Sequence, residues 1–396
     1  MNFSQVDAIL SQSIGTITPA AQMVIRHNGA VVHDLAIGFL DPETKSCPIN
    51  FDTLFDLASL TKLFTTTAFM TLVEEGKVSI DDPVQSVLPE FSGVRSIQPY
   101  ENPLDWDKTV SILPLPKGDR ERRGNQQQSH GEAEGGQEVR ASTVDADKVT
   151  FRNLLVHNSG LPAWRAFKDQ PNAQAALQMA FDTFFSYPTA EQIVYSDVGL
   201  ILLGVATSRL TGSPLDETIY QRVTRPLELS ARFQPAVLLL SIQNIAPTEF
   251  CKWRGRRIVG EVHDESAWRL GGVAGHAGMF AHAQDVAAFG QSFLEASLLR
   301  PETIAEMTRL QAEFNAVRRG LGFALWSPDP AASSNPFSQS TFGHTGFTGT
   351  CLWIDPSRSL VVALLTNDVY GGREGRGIAD LRVKIHRAIV ESVDIA

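Results

Sequence analysis

Cysteine is scarce in this 396-residue chain, with only Cys47, Cys251 and Cys351 present. They are far apart, odd in number and form no CxxC pair, which excludes a disulfide framework or a zinc ribbon. They read as small buried or half-buried residues. Long apolar runs are also missing. No stretch approaches the roughly 18 apolar residues that span a bilayer. The opening MNFSQVDAILSQSIG has neither a basic start nor an apolar core of signal length. The expectation is a cytoplasmic protein without a membrane span. Positive charge is short as well: 34 Lys+Arg stand against 44 Asp+Glu, a net charge of −10. Such a surface repels nucleic-acid phosphates and anionic lipid, so neither is an expected partner.

Several catalytic signatures are absent too. There is no GxSxG elbow and no HExxH zinc site. His263, Asp264, His276 and His282 match no zinc-ligand spacing. The glycines of 371–377 form neither a P-loop nor a dinucleotide fingerprint. No cofactor and no metal are expected.

Hydrophobic residues make up 43% of the chain, enough to bury a sizeable core. Residues 3–13 carry Phe3, Val6, Ile9 and Leu10 at helical spacing. Two β-rich runs follow, 21–26 and 30–37, joined by the turn signal His27-Asn28-Gly29. A helix is predicted from about Ser59 to Glu75, ending at Gly76. The stretch 100–147 contains GDRERRGNQQQSHGEAEGG, which is too polar to offset its ordering entropy, and reads as a disordered insertion. From 148 to 312 the pattern is mostly helical. Strand patterns return at 321–326, 349–354 and 360–365, and 380–393 reads as a closing helix. The expected fold class is therefore α/β (α+β): an antiparallel sheet flanked by helices, built from 1–99 and 313–396, carrying a helical domain over 148–312.

One residue stands out. Within the predicted first long helix, the run 60–73 contains a single charge, Lys62, while Leu60, Leu63, Phe64, Ala68, Phe69, Met70, Leu72 and Val73 cover nearly its whole circumference. A buried ammonium costs several kcal/mol unless it is paired or neutralised. One use of such a lysine is as a base with a depressed pKa. Ser59 lies three residues earlier and shares its helical face. It also sits near a helix N-terminus, where backbone N–H groups favour developing negative charge. The other reading makes Ser59 a helix cap and Lys62 a snorkelling surface residue. About one chance SxxK match is expected at this length, and Ser59-Leu60-Thr61-Lys62 is the only one in the chain.

Two further stretches complete a resemblance. Tyr195-Ser196-Asp197 in QIVYSDVGLILLG resembles a Tyr-x-Asn motif, and His344-Thr345-Gly346 in FGHTGFTGT resembles Lys-Thr-Gly. With Ser59–Lys62, and with LLVHNSGLP at 154–162, DDPVQSVLPEF at 81–91 and VVALLTN at 361–367, the chain is similar to the class C β-lactamase-related serine hydrolases. That family includes β-lactamases, penicillin-binding D-alanyl-D-alanine peptidases and carboxylesterases.

The resemblance implies that Ser59 attacks an acyl carbon and that Lys62 and Tyr195 share the proton work, in an order the sequence leaves open. The backbone N–H groups of Ser59 and Phe347 would form the oxyanion hole. Asp197, His344, Thr345 and Gly346 would contact substrate, with His276 and Trp164 as further contacts at the pocket edge. Asp197 stands where the family has asparagine, and His344 where it has lysine. An ionised carboxylate donates no hydrogen bond, and an unperturbed histidine is mostly neutral near pH 7. Both changes favour a small neutral ester or amide, a small-molecule acyl substrate, over a β-lactam or a D-Ala-D-Ala peptide. A binding or sensor protein on the same fold is the alternative from another class.

Overall fold

A computed structural model describes residues 1–102, 108–111, 143–236 and 242–395. Both ends of the chain build one antiparallel sheet. Its strands are β1 (Ala20–His27), β2 (Ala30–Gly38), β3 (Ala312–Phe314), β4 (Val317–Arg319), β5 (Ala324–Leu325), β6 (Phe342–Thr345), β7 (Cys351–Asp355) and β8 (Leu360–Thr366). They are ordered β3-β4-β5-β6-β7-β8-β1-β2. The sheet formed by the two termini is the one expected from the sequence.

Period-two alternation decides which layer each strand residue serves. Ala21, Met23 and Ile25 of β1 join Val362 and Leu364 of β8 under one helical layer. That layer consists of α1 (Ser4–Ser13) and α5 (Ile378–Asp394), packed through Val6, Leu10, Leu381, Ile385 and Ile389. Val24, Val361, Ala363 and Leu365 face the other way, into the main core. Every residue of β8 is buried, as its unbroken apolar run requires of a strand covered on both faces.

The three longest helices of the main core are α2 (Thr61–Glu74), α3 (Asp197–Thr211) and α4 (Ala283–Glu295). Helix α4 lies within the 148–312 stretch but packs on the sheet: a Cβ on Gly290 would meet Val361 and Leu352 side chains at 2.7 and 2.9 Å. Phe64 stacks on Phe289 at 4.1 Å and so ties α2 to α4. Helix α2 buries eleven of its fourteen residues, Lys62 among them. Helix α3 starts where Ser196 accepts the Gly199 N–H at 3.2 Å, and it stops at Gly212 in a left-handed conformation. No single helix among the described residues is long and apolar enough to cross a membrane.

Two expectations are revised. The edges of the 100–147 insertion belong to the folded body: Tyr100–Glu101 pairs with Thr109–Val110, Thr143–Asp145 pairs with Val94–Ser96, and Val144 and Ala146 are buried in the core. The polar stretch itself lies outside the described residues. The 148–312 stretch also contains short strands, including Met279–Ala281, which pairs with Phe55–Asp56 immediately before Ser59. All three cysteines are free, with Cys251 and Cys351 buried.

One buried histidine yields a pH prediction. On α5, the His386 ring packs 4.9 Å from Phe337, its Nδ1 lies 2.7 Å from the Ser333 carbonyl, and burial lowers its pKa to about 4. Its unfolded value is about 6.5. The folded state therefore binds this proton less readily than the unfolded state. The stability contribution is intact above pH 6.5 and is lost as pH falls toward 4. Between pH 7 and pH 5 the wild type should lose about 2 kcal/mol relative to His386→Gln in urea unfolding. A stability gap that does not change with pH would contradict this.

Candidate active site

The site is assembled where three distant segments are stitched together. Thr348 Oγ1 donates to the Asp56 carbonyl at 2.7 Å, and Thr350 Oγ1 donates to the Leu57 carbonyl at 3.0 Å. Gly346 lies so close that a Cβ there would meet the Leu57 carbonyl oxygen at 2.6 Å, so no larger residue fits. These contacts hold the turn after β6 against the residues that lead into Ser59. Ala58 itself has φ of +46°, an uncommon conformation for a non-glycine residue. The buried Asp56 carboxylate holds it there by accepting the Ala58 N–H at 2.8 Å and the His263 N–H at 2.7 Å. Ser59 follows in a short 3₁₀ turn, half-buried, at the mouth of α2.

Lys62 is 1% exposed. Its ammonium faces three oxygens: it donates to Ser59 Oγ at 2.8 Å and to the His276 carbonyl at 3.1 Å, and it forms an ion pair with Asp197 Oδ1 at 2.8 Å that lacks regular hydrogen-bond angles. It also lies 4.7 Å from the centre of the Tyr195 ring. Burial pulls the Lys62 pKa down, but the Asp197 carboxylate, followed by Tyr195, outweighs it and raises the pKa above the ordinary lysine value. The expected depression is therefore reversed. Lys62 rests as a cation because a carboxylate 135 positions away faces it.

Tyr195 is buried between His157, at 4.7 Å between ring centres, and His344, at 5.6 Å. Burial raises its pKa despite the opposing pull of Lys62. Its hydroxyl has no regularly angled hydrogen bond, although Lys62 and Ser59 are near enough to act on it. Tyr195 is thus a phenol rather than a phenolate at rest. The chain that carries it is pinned by its neighbours: the Ser196 N–H donates to His157 Nδ1 at 3.1 Å, Ser196 Oγ to the Pro162 carbonyl at 2.7 Å, and the Asp197 N–H to the Ala163 carbonyl at 2.9 Å.

A cavity of about 840 Å³ opens over Ser59, and Trp164, Tyr195, Asp197, His276, His344, Thr345, Gly346 and Phe347 all line it. Phe347 is 40% exposed, stacks on His263 at 5.6 Å and uses its carbonyl to accept from Arg376. His344 is buried; burial, with Arg319 and Lys62 nearby, drops its pKa well below the usual histidine value, so it is neutral. The His276 ring is 1% exposed, and its Nε2 lies 2.9 Å from Asp264. Its carbonyl accepts from Lys62, and its ring and the Asp264 carboxylate lie within 4.8 Å of the Asp197 carboxylate.

Four residues at the site escaped the sequence reading. Asp56 and His157 are the braces described above, and Asp264 holds His276. The fourth, Arg319 on β4, places its guanidinium 5.4 Å from the centre of the Tyr195 ring on the cavity wall. It has no carboxylate partner among the described residues, its Nε makes no hydrogen bond, and burial lowers its pKa.

The Lys62–Asp197 pair makes a stability prediction. Lys62→Met leaves Asp197, 22% exposed, without its cation and should cost about 3 kcal/mol. Adding Asp197→Asn should restore most of that loss in a double-mutant cycle. A Lys62→Met protein that unfolds with the wild type would contradict the pairing energetics.

Residues 6–387 match the family described as Beta-lactamase. A putative D-alanyl-D-alanine carboxypeptidase of Escherichia coli K12 is 28% identical, over 92% of this chain and 82% of the relative. An N-acetylmuramyl-L-alanine amidase of Bacillus subtilis 168 is 29% identical, over 92% and 80%. Among solved structures, EstCE1, a hydrolase with promiscuous acyltransferase activity, superposes with a TM-score of 0.69 at 20% identity, covering 97% of both chains. The match over nearly the whole length shows that this chain is a serine hydrolase of the beta-lactamase family.

Proposed function

We propose that the protein hydrolyses an amide of an amino acid or short peptide bearing a carboxylate, through an acyl intermediate on Ser59. The observation that carries this reading is the 2.8 Å contact between the buried Lys62 ammonium and Ser59 Oγ, beside a protonated phenol and under an open cavity. Ser59 Oγ attacks the carbonyl carbon. The developing oxyanion is received by the backbone N–H groups of Ser59 and Phe347. Tyr195, held as a phenol, is suited to give its proton to the leaving nitrogen. Water then releases the acyl group.

Arg319 supports the carboxylate. A guanidinium on the cavity wall with no carboxylate partner among the described residues is a ready site for one, and a charge-assisted hydrogen bond contributes about 1.5–3 kcal/mol. The two relatives above bear the names putative D-alanyl-D-alanine carboxypeptidase and N-acetylmuramyl-L-alanine amidase, and both names point to amide substrates. A second reading, hydrolysis of small neutral esters, is favoured by the uncharged His344. On that reading Arg319 serves only to shape the cavity.

Turnover of a D-Ala-D-Ala peptide, a muramyl-alanine amide, nitrocefin and p-nitrophenyl acetate separates the two. Carboxylate-bearing amides should be preferred, and Arg319→Ala should raise their KM about 10- to 100-fold while leaving p-nitrophenyl acetate unaffected. Ser59→Ala should abolish all turnover with the fold intact. An Arg319→Ala effect equal for charged and neutral substrates would favour the ester reading, and an active Ser59→Ala would overturn both.

A further inference from the structure

We infer that Asp197 is the final acceptor of the Ser59 proton, which reaches it through Lys62. The inference rests on the acyl-serine reading and concerns a step that reading leaves open. When Ser59 Oγ bonds to the acyl carbon, its proton must leave, and neither nearby group is ready to take it. Lys62 already carries its full complement of protons, and Tyr195 is a neutral phenol.

The geometry supplies the missing acceptor. Lys62 Nζ lies 2.8 Å from Ser59 Oγ on one side and 2.8 Å from Asp197 Oδ1 on the other. The ammonium releases one proton to the Asp197 carboxylate and takes up the Ser59 proton. Lys62 ends as it began, as an ammonium, and Asp197 ends as a carboxylic acid. The Ser59 Oγ–C bond forms, the bond from the acyl carbon to the leaving nitrogen breaks, and that nitrogen receives the Tyr195 proton. The return path runs the other way: the acid proton of Asp197 passes through Lys62 to the Tyr195 phenolate, which restores the starting charges. An asparagine, which the related motif carries at this position, accepts hydrogen bonds but not this proton.

Three features keep the relay in place. Asp197 is the first residue of α3, held by its own N–H on the Ala163 carbonyl at 2.9 Å and preceded by the Ser196 cap. The third ammonium acceptor, the His276 carbonyl, is fixed by the His276–Asp264 contact at 2.9 Å. Gly275 lies so tightly on α3 that a Cβ there would meet the Leu200 carbonyl oxygen at 2.0 Å. The charged and titratable groups that face the pair are Tyr195 from its own segment and Asp264 and His276 from the glycine-rich loop, with His157, His344 and Arg319 behind them.

The rate at which a small fluorophosphonate labels Ser59 reads the activation step without substrate-specific contacts. In Asp197→Asn the relay ends at Lys62, so labelling at pH 7 should drop by about 100-fold or more. The rate of that variant should climb at alkaline pH as Lys62 deprotonates. Asp197→Glu keeps a carboxylate and should label faster than Asp197→Asn at pH 7, which separates chemistry from disturbed folding. An Asp197→Asn protein that labels within about threefold of wild type at pH 7, or an Asp197→Glu protein no faster than Asp197→Asn, would overturn the inference. Failure of the wild type to label at Ser59 at all would instead overturn the acyl-serine reading beneath it.

Discussion

The site depends on one buried cation. Lys62 sits in a helix that is buried on nearly every side, and the desolvation cost of its charge is met by three oxygens from three parts of the chain. Each acceptor is held by a separate device: Ser59 by the strained Ala58 and the Asp56 carboxylate, Asp197 by the cap of α3, and the His276 carbonyl by Asp264 and the close fit of Gly275 on α3. The ammonium is thus a junction between the start of α2, the start of α3 and the His276 segment, and its geometry is also the geometry of the nucleophile.

Electrostatics divides the work among neighbours. A carboxylate opposite Lys62 keeps the amine charged, while burial keeps Tyr195 protonated and His344 and His157 neutral. The resting site therefore pairs one cation and one anion with a phenol beside them, under a cavity lined by Arg319, whose guanidinium has no carboxylate partner among the described residues. On the proposed reading, a substrate places its acyl carbon over Ser59 and its carboxylate toward Arg319.

Much of this was legible in the residues. Lone Lys62 in an apolar helix, with Ser59 one turn before it, was visible as an anomaly. The period-two runs at both ends forecast the sheet. What was not legible depended on contacts across the chain. The sign of the Lys62 shift is set by Asp197, which no local pattern links to it. Arg319 was hidden because its hairpin turns on Asn315-Ala316, both in left-handed conformation, where the recognisable signal would be Asn-Gly. Strand β6, only four residues long and interrupted by Gly343, is too short for alternation to declare it. The braces Asp56, His157 and Asp264 are ordinary polar residues until the fold brings them to the site.

The protonation state of Lys62 is the claim on which the rest turns, and it can be observed directly. In protein labelled with ¹⁵N-lysine, the Nζ resonance of Lys62, assigned by comparison with Lys62→Arg, can be followed as a function of pH. The account predicts an ammonium signal that stays unchanged from pH 6 to pH 9. Titration of that resonance near neutrality would show a neutral amine at rest and contradict it.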